Sequence, residues 1–213
     1  MKGVKFGSFH SYNEWGLILT EKELKSPAIK TYTVELEGSN GVLDFTEFFG
    51  SVKYENRQLT FSFIKPNITP DGFLSLYSLV QNALHGKKMQ VILDDDPAYF
   101  YYGRVSINNW KSNKGVGEIV IEVDAEPFKQ NITETVVTKT VSGSASIILD
   151  NDKIPVVPTI TTNAEFLIDF GSYNEIFSAG TFQIPELELG EGANNIYVEG
   201  TGTLTFKYRK GRL

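Results

Sequence analysis

Residues 52–63, VKYENRQLTFSF, alternate apolar and polar side chains, and this stretch decides the fold class. In an extended chain, Leu59, Phe61 and Phe63 lie on one face. The opposite face carries more polar residues, namely Tyr54, Asn56, Gln58, Thr60 and Ser62. A period of two indicates a β-strand with one buried face.

A second alternating run extends from Lys30 to Leu36. Tyr32, Val34 and Leu36 fall on one of its faces. The sequence Gly38-Ser39-Asn40-Gly41 follows, and glycine and asparagine tolerate the positive φ of tight turns. We therefore predict a strand that leads directly into a turn.

The composition agrees with these two runs. Val, Ile, Thr, Phe, Tyr and Trp, which favour strands, make up more than a third of the 213 residues. The 19 glycines and 8 prolines are enough for frequent turns. Many short strands between frequent turns are typical of β-sandwiches and barrels. We therefore predict a mainly β protein.

One segment breaks this pattern and predicts a helix near residues 70–85. Thr69 is a good N-cap, Pro70 suits the first helical position, and Asp71 suits the positive end of the helix dipole. Gly86 marks the end of the helix. Apolar residues at spacings of three and four form a stripe: Phe73, Leu76, Tyr77, Val80 and Leu84. We expect this helix to pack on a sheet.

We predict three further strands, Met89–Leu93, Ala98–Val105 and Ile119–Val123, and the amino-acid composition changes after them. Residues 127–146 are rich in Thr and Ser and hold few large apolar side chains. We therefore place a boundary near residues 125–140. Residues 1–130 are predicted to form an N-terminal β domain that contains the helix. Residues 131–213 are predicted to form a small C-terminal β-sandwich.

Three Gly-x-Gly strings lie after the helix, at residues 115–117, 190–192 and 200–202. A phosphate-binding loop needs a helix directly after its glycines, and no helical pattern follows any of the three. We therefore predict that all three strings are hairpin turns.

The charge balance and the lack of cysteine exclude several classes of protein. Lys and Arg total 20 against 26 Asp and Glu, so the net charge is −6. A nucleic-acid-binding protein needs a basic face, and this balance argues against one. Without cysteine there are no disulfides, thiolate metal sites or cysteine nucleophiles. No apolar run approaches the roughly 18 residues of a membrane helix, and the first residues lack a signal-peptide pattern, so we expect no membrane partner.

The sequence offers little catalytic or metal-binding chemistry. His10 and His85 are the two histidines, and no Gly-x-Ser-x-Gly elbow occurs, so a hydrolase is the least favoured function. Asp94-Asp95-Asp96 resembles a ligand set for a hard cation but lacks the spacing of an EF-hand. We interpret it as a solvated hairpin turn closed by Pro97. We predict no catalytic residue, no metal site and no cofactor.

An aromatic cluster is the best candidate for a contact surface. Tyr99-Phe100-Tyr101-Tyr102 and the nearby Trp110 carry five rings. Because a strand exposes alternate residues, we expect two rings of the tetrad in the core and two in a cross-strand or subunit contact. Stacking on a sugar is the alternative. Tyr99, Tyr101 and Trp110 are the candidate interface or ligand-stacking residues.

Several motifs, read in order, resemble a known family. They are His10 to Leu19 (HSYNEWGLIL), Gly38 to Gly41 with Leu43-Asp44, Tyr54 to Leu59 (YENRQL), His85-Gly86-Lys87 after the helix, Asp94 to Pro97 with Tyr101 to Val105 (YYGRV), and Ala125 to Phe128 (AEPF). Their order and spacing resemble the distal tail protein (Dit) family of long-tailed siphophages and related prophages. The resemblance covers about residues 3–128, and the remainder is similar in layout.

The resemblance implies an N-terminal β domain related to tail-tube proteins, with one helix, and a galectin-like C-terminal β-sandwich. It implies a homohexameric ring at the virion tail tip, assembled in the bacterial host cytoplasm. Such a ring joins the tail tube protein to the tail-associated protein and holds receptor-binding proteins. DNA passes through its channel without specific binding, and the family members are not enzymes.

One alternative of another class stays open, a β-sandwich carbohydrate-binding protein that acts at the host surface. A galectin-like half would suit it, although fold alone does not confer a sugar site. The C-terminal part spans about 80 residues without a long insertion, so the resemblance implies a plain hub rather than one with an added carbohydrate-binding module.

Overall fold

The computed structural model describes residues 2–38, 40–48, 50–113 and 115–213, with the backbone alone at 109, 112 and 113. Ser39, in the turn predicted at 38–41, lies outside the described residues. The protein is mainly β and divides into two compact units. Unit 1 comprises the residues up to Lys129 together with Leu213, and unit 2 comprises Gln130–Arg212.

Unit 1 is built on one large antiparallel sheet. In chain order its elements are β1 (Val4–Phe6), β2 (Phe9–His10), β3 (Ile18–Leu24), β4 (Thr33–Glu35), β5 (Val42–Asp44), β6 (Arg57–Pro66), α1 (Pro70–Leu84), β7 (Lys88–Leu93), β8 (Tyr99–Asn113) and β9 (Val116–Ala125). The order across the sheet is β2-β1-β7-β8-β9-β6-β3, while β4 and β5 form a separate two-stranded ribbon.

The alternation that predicts β6 is confirmed. Leu59, Phe61 and Phe63 are fully buried and belong to the core of unit 1. Their partners across the sheet are buried residues of β9, namely Val123, Ile121 and Ile119. The strand begins at Arg57, later than the predicted start at Val52, and Tyr54 makes an isolated bridge with Ile29 instead.

The predicted helix is confirmed as α1. The Thr69 hydroxyl accepts the Gly72 N–H at 3.2 Å, and Pro70 opens the first turn. Gly86 follows the helix with φ of 77°, which favours glycine. The buried stripe Phe73, Val80 and Leu84 joins the core of unit 1, so the helix packs on the sheet as expected.

Gly117 on β9 leaves the space that the Phe73 ring of the helix occupies. A Cβ built at Gly117 would lie 2.1 Å from the Phe73 ring. Any side chain there would push α1 away from the sheet. In the described chain, α1 is the single helix, and it does not have the length needed to cross a membrane.

Unit 2 consists of strands. After β10 (Lys129–Asn131), at which the two units divide, come β11 (Thr135–Asn151), β12 (Thr159–Thr162), β13 (Phe166–Phe170), β14 (Tyr173–Phe177), β15 (Gly180–Gln183), β16 (Gly192–Tyr208) and β17 (Gly211–Arg212). β11 and β16 pair along all 17 residues of each.

This long hairpin folds back on itself. Tyr208 pairs with Thr135 at one end of β11, yet its hydroxyl donates to the carbonyl of Asp150 at the other end, at 2.7 Å. Fifteen residues of straight strand span about 50 Å, so β11 must bend sharply between these points. The bend coincides with Gly143, whose φ is 88°, and Gly200 lies opposite it.

The bend creates two layers from one pair of strands. β12 and then β15 extend the layer that contains residues 204–207 of β16, while β13 and then β14 extend the layer that contains residues 197–200. Buried residues of both layers form one core: from the first Val141, Leu204, Phe206 and Ile160, and from the second Ile147, Leu149, Ile196, Val198 and Phe166. Unit 2 is thus a β-sandwich whose layers share their longest strands.

One expectation about this region was wrong. Residues 200–202 do not form a hairpin turn but lie inside β16. Glycine is needed there for close approach, because a Cβ at Gly200 would lie 2.6 Å from the Glu165 carbonyl oxygen and one at Gly202 would lie 2.6 Å from the Asn163 side chain.

Candidate assembly surface

An arm leaves the sheet of unit 1 between β3 and β6. We call residues 29–48 the apolar arm. Its two strands pair in register, with Val34 opposite Leu43. Beyond them the Phe45 N–H donates to the Tyr32 carbonyl at 2.7 Å, and the Tyr32 N–H donates to the Thr46 hydroxyl at 3.2 Å. Backbone hydrogen bonds therefore define the ribbon without help from a core.

The apolar side chains of this arm are exposed. The alternation of Tyr32, Val34 and Leu36 predicts a strand, and β4 forms there, but none of the three is buried. Between 36% and 71% of each side chain is accessible for the eight large apolar residues described in the arm: Ile29, Tyr32, Val34, Leu36, Val42, Leu43, Phe45 and Phe48. Contiguous exposed apolar surface marks interaction sites, and a two-stranded hairpin alone is marginally stable in water.

The three aromatic residues singled out by the sequence occupy different environments. Tyr101 is 5% exposed, inside the core of unit 1, with the Arg57 guanidinium 5.3 Å from its ring. Tyr99 is half-buried beneath the Lys129 ammonium, 4.6 Å from the ring centroid. Trp110 is 38% exposed and packs against Phe73 and Tyr77 of the helix. Trp110 is thus the most exposed of the three residues.

The tetrad that contains two of these residues does not alternate strictly. Phe100 and Tyr101 are adjacent and both buried, whereas Tyr99 and Tyr102 are half-buried. The Lys88 ammonium lies 4.8 Å from the Tyr102 ring. Three cations, Arg57, Lys88 and Lys129, therefore cover rings of this tetrad, which gives the aromatic run contacts within unit 1.

The two histidines are tied into the backbone. The Nδ1 of His10 accepts the N–H groups of Tyr12 and Asn13 at 3.2 Å each, so Nε2 carries the proton and donates to the Asp94 carboxylate at 3.1 Å. The Nδ1 of His85 accepts the Ile107 N–H at 3.1 Å. The His10 ring thus fixes the turn that follows β2, and the His85 ring ties the end of α1 to β8.

Each of the three carboxylates of the acidic turn has its own partners. Asp94 accepts the Gly3 N–H at 2.7 Å as well as bonding His10. Asp95 pairs with Lys22 of β3, and this ammonium holds the pKa of the Asp95 carboxyl below its ordinary value. Asp96 pairs with Lys129 at 2.7 Å. In the part of the chain that the structure describes, no three His, Cys, Asp or Glu side chains converge on a metal site.

The sequence alone did not indicate that the apolar arm is a candidate contact surface. Its signal was present: two apolar runs, 32–36 and 42–48, flank a glycine-rich turn. Alternation reports that one side of a strand is apolar, but it does not report whether the covering surface belongs to the same chain. The structure supplies that information, because the arm carries its apolar residues away from the core.

No family model matches the chain, and no curated protein matches its sequence. Its fold matches the crystal structure of the Dit protein (gp 19.1) of SPP1, described as a paradigm of the hub adsorption apparatus in phages that infect Gram-positive bacteria. The match covers 100% of both chains with a TM-score of 0.73, at 16% sequence identity. The chain therefore has a Dit-like fold along its whole length.

Proposed function

We propose that this chain is a distal tail protein, a structural component of a phage tail tip. The observation that carries the proposal is the fold match, which spans the whole of both chains rather than one common β-domain. Fold alone does not imply function. The ordered motifs between residues 10 and 128 supply a second, independent line of support, because they resemble the same family in sequence.

We further propose that six copies close into a ring that joins the tail tube protein to the tail-associated protein and holds receptor-binding proteins. DNA passes through the opening without specific binding, in keeping with a net charge of −6. A ring requires a heterologous interface, in which one surface of each copy meets a different surface of the next.

We assign the apolar arm to this interface. Its exposed side chains need a cover, and in a closed ring each copy both offers an arm and receives one, so every arm is covered in equal measure. A two-stranded ribbon is marginally stable in isolation, which suits a segment stabilised by a neighbour. The occupant that we propose for the arm is therefore a second copy of this chain.

Electron microscopy of the purified protein tests the proposal. We expect particles with six-fold symmetry and a central opening. Single 23.8 kDa particles that bind members of a glycan panel would overturn it and would favour the carbohydrate-binding alternative. A ring with another closed symmetry would contradict the proposed copy number and leave the interface to be assigned afresh.

A further inference from the structure

The residues of the motif Ala125-Glu126-Pro127-Phe128 do not belong to the apolar arm, so the proposed assembly role does not account for them. It lies where the chain leaves β9, and Lys129 ends unit 1 directly after it. We call residues 126–129 the exit segment. Each of its four residues makes a contact with a different partner in unit 1.

The first residue of the exit segment is held by its backbone and by its charge. The Glu126 N–H donates to the Tyr102 carbonyl at 2.9 Å. Its carboxylate pairs with the Lys88 ammonium at 2.8 Å, and this hydrogen bond raises the pKa of Lys88. Lys88 also lies over the Tyr102 ring, so one strand pair, β7 with β8, fixes Glu126 from two sides.

The second residue is reached by a buried arginine. Arg57 is 7% exposed, and its Nη1 donates to the Pro127 carbonyl at 3.4 Å. Its Nε donates to the Lys25 carbonyl at 2.8 Å, and the Tyr101 ring covers the guanidinium. Burial of a guanidinium without hydrogen bonds costs free energy, so Arg57 keeps a fixed position and holds the Pro127 carbonyl.

The last two residues are held by rings and by the acidic turn. Phe128 meets the edge of Tyr54 with ring centroids 5.7 Å apart. The Lys129 ammonium lies between the Asp96 carboxylate, at 2.7 Å, and the Tyr99 ring, at 4.6 Å. Four consecutive residues are thus anchored on β6, β7, β8 and the turns beside them.

We propose that the exit segment is a clamp that fixes where and in which direction the chain leaves unit 1. A flexible linker between compact units is polar and makes few contacts, whereas this one is anchored at every residue. Release requires several separate contacts to break together, so the segment opens rarely.

Trypsin tests the clamp, because it cuts after lysine and the clamped Lys129 precedes Gln130. This bond lies within β10, so slow cleavage in the native protein is expected on that ground as well, and the comparison of variants is what tests the clamp. Asp96→Asn removes the ionic partner of Lys129 and should raise the cleavage rate there about threefold to tenfold. Asp95→Asn is the matched control, because it makes the same change one residue away but releases Lys22 instead. It should leave the rate at Lys129 unchanged.

Tyr99→Leu provides a second variant in case Asp96→Asn unfolds unit 1. It removes the ring beneath Lys129 and keeps the ion pair, and it should also raise cleavage at Lys129 selectively. Amide hydrogen exchange of residues 126–129 gives a readout that does not depend on a protease. Equal cleavage in Asp95→Asn and Asp96→Asn, or fast exchange of the exit segment in the native protein, would overturn the proposal.

Discussion

The apolar arm and strand β6 have the same alternating pattern of apolar and polar residues, but only in β6 are the alternating apolar residues buried. Tyr32, Val34 and Leu36 alternate with polar residues as regularly as Leu59, Phe61 and Phe63 do. The first set is about half exposed, whereas the second is buried in the core of unit 1, where the rings of Phe61 and Phe63 contact Phe6 of β1. Local sequence therefore specifies an extended chain with one apolar side, and the rest of the structure decides what covers that side.

The difference has a functional meaning. An apolar strand buried in its own chain stabilises the fold, while an exposed one is a hazard unless another chain covers it. We attribute the exposed arm to assembly for this reason. Three sets of substitutions test the account, beginning with the largest expected effect.

Truncation of one phenylalanine in each region should give very different costs. Phe61→Ala empties a fully buried site and should lower the free energy of unfolding by about 3–5 kcal/mol. Phe48→Ala, at a site 71% exposed, should change it by less than about 0.5 kcal/mol in the isolated chain. Both tryptophans, Trp15 and Trp110, lie in unit 1, so their fluorescence during urea denaturation reports this unit alone. Equal costs would erase the distinction between the two regions.

A single added methyl group at Gly117 tests how tightly the helix packs against the sheet of unit 1. Gly117→Ala places a Cβ against the buried Phe73 ring and should cost about 1–3 kcal/mol. Trp110 packs on the same ring, so its fluorescence should change as well. Gly180→Ala is the control, because nothing lies within 4 Å of a Cβ there. It lies in unit 2, so its unfolding is followed by circular dichroism of the strands rather than by tryptophan fluorescence. A stable Gly117→Ala variant with unchanged fluorescence would show that Phe73 of the helix is not packed tightly against Gly117.

The ion pair between Asp95 and Lys22 should have the smallest effect. Both side chains are about one-third exposed, so Asp95→Asn should cost less than about 1 kcal/mol at pH 7. The folded pKa of Asp95 lies below its ordinary 3.8, so its contribution is present above pH 3.8 and is lost as the pH falls through the lower folded value. A double-mutant cycle with Lys22→Met at pH 7 and near pH 3 measures this coupling. A coupling that grows on acidification would contradict the assignment.

The sequence predicted the elements whose signals are local. The helix from Pro70 to Leu84 follows from its cap and its apolar stripe, and the β7–β8 hairpin follows from the acidic turn that joins its strands. The partners of individual side chains were not predictable. Arg57 carries no local sign that it reaches Lys25 and Pro127, because these contacts join residues 32 and 70 positions away.

Glycine was the main source of error. At residues 200–202 a turn and a close approach both call for glycine, and the sequence around them does not distinguish the two. The close approach arises because β11 and β16 bend together, a property of the paired strands rather than of either one. The close approach at residues 200–202 can therefore be predicted only when the pairing of β11 with β16 is known.

The native mass of two matched double variants tests the central claim, that a second copy covers the apolar arm. Six copies of the 23.8 kDa chain weigh 142.8 kDa, which is the mass expected of the unmodified protein. Val34→Glu with Leu43→Glu charges the cross-strand pair of the arm and should give 23.8 kDa. Ile148→Glu with Ile176→Glu adds the same charge at exposed sites in unit 2 and should leave the mass at 142.8 kDa. An arm variant that keeps the full mass, or an unmodified chain that stays at 23.8 kDa at every concentration, would contradict the account.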